Sequence, residues 1–106
     1  MIWHSKLYLS NEKMDVDRVK WHVEHNAGMG GYYLICLSPK EEEMAWILSE
    51  AELQKDYIKK EKKSLTVIGV ARGLRNAKEL IGKMTEDALD LYNEADFRLL
   101  FPKEDL

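Results

Sequence analysis

Residues that mark chemistry are scarce in this chain. Its 106 residues contain one cysteine, three histidines and two prolines. A lone cysteine cannot close an internal disulfide, so a reducing, cytoplasmic setting is expected. With few prolines and glycines there is no flexible linker, and no internal repeat or low-complexity tract divides the chain. One globular domain over residues 1–106 is therefore expected, long enough for a single core. No apolar run approaches the roughly 18 residues of a membrane span. The opening Met1-Ile2-Trp3-His4-Ser5-Lys6 has no charged lead followed by an apolar stretch, so neither a secretory leader nor membrane partners are expected. An excess of positive charge is also missing. Sixteen basic against nineteen acidic residues give a net charge of −3, which lacks the basic field that displaces counterions from nucleic acid.

Signature motifs are equally sparse. Gly69 and Gly73 do not form a GxGxxG fingerprint, and no Walker lysine follows them. None of the serines sits in a GxSxG elbow. His22-Val23-Glu24-His25 resembles a zinc helix only in composition. The histidines are three apart rather than four, the glutamate is misplaced, and no third ligand is marked. Cys36 lies inside an apolar run, where cysteine behaves as a small hydrophobe rather than a nucleophile. We therefore expect no catalytic residues, no metal and no cofactor, and an enzyme is the less favoured reading.

The residues that remain are strongly patterned. Leu65 to Ala71 is nearly continuous apolar sequence, and it passes through Arg72-Gly73-Leu74-Arg75-Asn76 into an amphipathic helix ending near Tyr92. A strand without polar alternation is normally covered on both faces. Tyr32 to Leu37 reads as a second buried strand, Lys6 to Leu9 as a short first one, and Phe97 to Phe101 as a last one. Met14 to His25 carries both periods. Val16, Val19 and Val23 share a helical face, while Val19, Trp21 and Val23 alternate as in a strand. Asn26 and Gly28, a natural C-cap, favour helix. Ser38-Pro39-Lys40-Glu41 reads as a helix start, so a helix is expected from about Pro39 to Lys60. The third helix, from about Asn76 to Tyr92, pairs Asn76 with Glu79 in the spacing of a capping box. The expected fold is α/β: a small mainly parallel, or mixed, sheet of about four strands covered by two or three helices. The alternative is α+β, with Met14–His25 forming an N-terminal antiparallel hairpin with the next strand.

Two surfaces stand out as functional candidates. The turn holding Arg72, Arg75 and Asn76 adjoins a helix amino end, whose free N–H groups attract anions, and arginine forks suit phosphate or carboxylate. Ser10, Asn11 and Ser38 join it if the strands are parallel neighbours. The ligand expected there is a small anion, phosphate or nucleotide-like. Gly28-Met29-Gly30-Gly31 could add a backbone nest. On the helix expected over 39–60, Trp46, Leu53 and Tyr57 form a second apolar stripe. Leaving large side chains in water forfeits roughly 1.5–3 kcal/mol each, so a homodimer or another protein partner is expected to cover them.

Val67-Ile68-Gly69-Val70-Ala71-x-Gly73, followed by Ala77 and Leu80-Ile81, resembles a pattern in small uncharacterised bacterial α/β proteins, and Trp46-Ile47-Leu48 with Tyr57 fits the same likeness. The resemblance covers the C-terminal half and implies no activity, substrate or site residue. The leading functional expectation is thus a non-catalytic, self-associating interaction or accessory module. The alternative is a small-anion site at Arg72–Asn76.

Overall fold

The computed structural model describes residues 1–25, 31–38, 40 and 43–103. Four strands form one sheet: β1 (Ile2–Leu9), β2 (Tyr32–Leu37), β3 (Ala45–Ser49) and β4 (Thr66–Arg72), in the spatial order β1-β4-β2-β3. β1 and β4 run parallel, while β2 is antiparallel to both β4 and β3. The chain is an α/β fold with a mixed sheet, and its hairpin joins β2 to β3.

Both central strands are covered on two faces, as their unbroken apolar sequence requires. On one face lie Leu34, Cys36, Val67 and Val70, and on the other Ile35, Ile68 and Ala71. β4 carries a bulge at Ile68, because Ile35 pairs with Gly69 and Cys36 with Val67. Gly69 sits beneath α3 (Leu74–Tyr92), where an added Cβ would come within 2.9 Å of Met84 Cε and 3.2 Å of Ile35 Cδ1. Ala77, Leu80, Met84 and Ala88 of α3 fill that face in a single helical stripe. Among the described residues no helix is long and apolar enough to cross a membrane.

α1 (Val16–Glu24) covers the opposite face. Asp15 caps it, accepting the Arg18 backbone N–H at 3.2 Å. The helical reading of this segment holds: Val19 and Val23 are buried, while Trp21, which a strand would turn inward with them, is 54% exposed. The Asn26–Gly28 cap and most of the Gly28–Gly31 nest lie outside the described residues.

Three expected elements differ. The helix over 39–60 is not formed. Ala45–Ser49 is instead the edge strand β3, followed by a 3-10 turn (Glu52–Gln54), the short α2 (Asp56–Lys59) and a second 3-10 turn (Lys62–Ser64). A run such as Met44-Ala45-Trp46-Ile47-Leu48 fits either period, and long-range pairing with β2 decides it. The final strand is also absent. Phe97–Leu100 is a 3-10 helix whose Asp96 side chain accepts the Arg98 N–H, and Phe97, Leu100 and Phe101 follow a helical i, i+3, i+4 spacing into the core. Finally, Asn76 and Glu79 form no capping box. Gly73 occupies the N-cap with φ +80° and ψ 150°, and no side chain caps α3.

Candidate functional site at the ends of the parallel strands

β1 and β4 are parallel neighbours, so their carboxyl ends lie side by side. The chain leaving β1 turns to α1 on one face, and the chain leaving β4 turns to α3 on the other. Strand connections that diverge in this way open a crevice at the sheet edge, the usual ligand position in open α/β sheets. Here the crevice is a solvent-open concavity of about 780 Å³. Its walls come from the Ser10–Asp15 loop, Arg18 of α1, Tyr32 at the start of β2, and Arg72 and Asn76.

Each wall is fixed by local bonds. Ser10 N–H donates to Val70 O at 3.0 Å, and its hydroxyl accepts the Arg72 backbone N–H at 3.2 Å, tying the two strand ends together. Asn11 folds the following loop, its side-chain oxygen accepting the Lys13 N–H at 2.9 Å. The Arg72 guanidinium donates to the Tyr32 hydroxyl at 3.1 Å and lies 5.0 Å from that ring's centre. Tyr32 is only 5% exposed and so anchors the arginine rather than competing for ligand. Asn76 donates from its amide to Arg72 O at 2.8 Å. Gly73 starts α3 from a positive φ, its N–H donating to Gly31 O at 3.1 Å, and Asn76 in the first turn of that helix lines this wall. Lys13, Arg18 and Arg72 supply positive charge, against the carboxylates of Glu12 and Asp15.

Of the residues expected at an anion site, Arg72 and Asn76 line the concavity, and Ser10 and Asn11 line it with them. Arg75 does not: its side chain is 92% exposed and pairs with Glu79 at 3.3 Å along the helix surface. Ser38 is at the opposite end of the sheet. Because β2 runs against β4, Leu37 pairs with Thr66 while Tyr32 pairs with Arg72, so the residue after β2 is carried away from the crevice. The Ser38 hydroxyl instead donates to Glu43 at 3.1 Å and accepts the Lys40 N–H at 3.1 Å. Tyr32, Lys13 and Arg18 were not legible as site residues. Tyr32 reads as core from its neighbours, and the long-range β2–β4 pairing that brings it to Arg72 has no local signal.

The second candidate surface is dispersed. Trp46 lies in β3, its indole N–H donating to the Glu43 carboxylate and holding that carboxyl below its usual range, with Ser38 adding to the effect. Leu53 is 1% exposed and belongs to the core, and Tyr57, 62% exposed, sits on α2. These three residues share no helix face.

Elsewhere, burial pushes the Cys36 thiol up to about 12, so it stays protonated inside β2. His25 Nδ1 lies 2.9 Å from Trp21 O, and the His22 ring meets Tyr32 edge-on at 6.0 Å. Among the described residues no group of three histidine, cysteine or acidic side chains is placed to hold a metal. Comparison with protein-family models, with curated proteins and with solved structures finds no match for this chain.

Proposed function

We propose that this chain binds a small phosphorylated anion in the crevice between the ends of β1 and β4. The observation that carries the reading is the setting of Arg72. A buried tyrosine hydroxyl orients its guanidinium in a concavity that Asn76, in the first turn of the uncapped helix α3, also lines. A pre-oriented arginine loses little freedom on binding, and its fork suits a phosphate or carboxylate. Free N–H groups at the helix start add dipolar attraction. Lys13 and Arg18 lie across the same concavity and supply further positive charge.

A thermal-shift and calorimetric titration with inorganic phosphate and with a nucleoside monophosphate tests this reading. The parent protein should be stabilised and Arg72→Ala should lose the response, whereas Arg75→Ala should keep it. Loss of a charged hydrogen bond of this kind weakens binding by about 1.5–3 kcal/mol, roughly tenfold or more. An equal response from Arg72→Ala would remove the arginine from the site.

A further inference from the structure

A separate surface, the free edge of β3, carries an inference independent of the crevice. The backbone of β3 has two sets of hydrogen-bonding groups, one facing β2 and one facing away. Ser38 N–H donates to Met44 O, so the even-numbered residues of this hairpin face each other. Tyr32 N–H agrees, pointing toward Glu50, whose carboxylate accepts it at 3.2 Å. The odd residues Ala45, Ile47 and Ser49 therefore direct their N–H and C=O groups outward. Ser49 N–H is already closed by the Glu52 carboxylate at 3.2 Å. Among the described residues nothing takes the outward groups of Ala45 and Ile47.

The two sheet edges are unequal. β1 is guarded: its register to β4 breaks between Trp3 and Tyr8, and Lys6 lies inside the break. Breaks of this kind and edge lysines are how strands resist pairing. β3 has neither. Its pairing with β2 is unbroken from Ala45 to Ser49, and Ala-Trp-Ile-Leu-Ser contains no charge, proline or glycine.

We infer that β3 pairs with β3 of a second copy of this chain, antiparallel and centred on Trp46. Identical strands related by a two-fold axis are always self-complementary. In this register Ala45 faces Ile47 of the second copy, and each such pair exchanges both backbone bonds. A register centred on Ile47 would bring Ala45 of the second copy against Ser49, where Glu52 already occupies the donor. Centring on Trp46 places the two Trp46 residues in a non-hydrogen-bonded pair, with Cα atoms roughly 4.5 Å apart and indoles on the same sheet face. The guarded β1 edge stops further growth, so the product is a closed dimer with one continuous sheet rather than a fibre.

Light scattering of the full chain, with cysteine variants to read the register, tests this. The parent should approach twice the 12.4 kDa chain mass as concentration rises. Ala45→Lys should remain at the single-chain mass with an unchanged far-ultraviolet spectrum. Cys36 pairs directly with position 46 across the hairpin, so the cysteine variants are made in a Cys36→Ala background, where mild oxidation should cross-link Trp46→Cys into a covalent dimer but leave Ile47→Cys uncross-linked. A parent that stays at single-chain mass throughout overturns the inference, as does cross-linking of Ile47→Cys in place of Trp46→Cys. If Ala45→Lys fails to fold, the cysteine pair decides alone. Phosphate binding at the crevice is read in a different experiment, so either conclusion can fail without the other.

Discussion

Single residues hold this molecule together by bonds that titrate. Tyr8 on β1 donates its hydroxyl to Asp87 of α3 at 2.5 Å, and Lys83 pairs with the same carboxylate at 3.2 Å. The Tyr8 hydroxyl, with help from Lys83, holds the Asp87 carboxyl below its usual range. Burial, followed by the bond to Asp87, raises the Tyr8 phenol above its own. A depressed carboxyl stabilises the fold above the unfolded value of about 3.9 and loses that contribution as pH falls through the folded value. A raised phenol stabilises it below about 10 and loses that contribution as pH rises through the folded value. Tyr8→Phe should therefore cost about 1.5–3 kcal/mol between roughly pH 4 and 10, the range for a hydrogen bond to a charged group. The gap between parent and variant should narrow on either side. Urea denaturation at a series of pH values checks this, and a constant gap from pH 2 to pH 7 would show that the pair does not couple to folding.

At the scale of elements, the Gly73 turn links fold and site. Its φ of +80° with ψ 150° is open to glycine and strained for any other residue. Gly73→Ala should cost about 1–3 kcal/mol of stability and should also weaken phosphate binding, because the turn sets the direction of α3. Denaturant midpoints and a phosphate titration measure the two effects; loss of stability with unchanged phosphate affinity would separate the turn from the site. This turn was legible in the sequence. An apolar strand, a glycine and a single clean apolar stripe lie next to each other, and all three are local signals. The same holds for α1, for β2 and for the position of Arg72 and Asn76 at the strand-to-helix turn. What failed was whatever depended on distant pairing. Ser38 would join the site only between parallel neighbours, and the β2–β4 pairing runs the other way. Trp46, Leu53 and Tyr57 shared a stripe only while 39–60 was read as one helix. Five consecutive apolar residues fit both periods, and the ladder with β2 settled the matter. Phe97, Leu100 and Phe101 carry a helical spacing in the sequence itself, and the 3-10 helix follows it.

The molecule as a whole is a four-stranded sheet with two unlike margins. At one end the parallel pair β1–β4 diverges into helices on opposite faces and leaves a crevice with Arg72, Arg18 and Lys13 on its walls. At the opposite edge, β3 keeps an unguarded row of backbone groups. If the crevice binds an anion as proposed, titrating the isotopically labelled chain with inorganic phosphate should give saturable amide shifts concentrated in residues 10–18 and 72–76, strongest at the first N–H groups of α3. Shifts confined to the Lys59–Lys63 surface, or none that saturate, would contradict it.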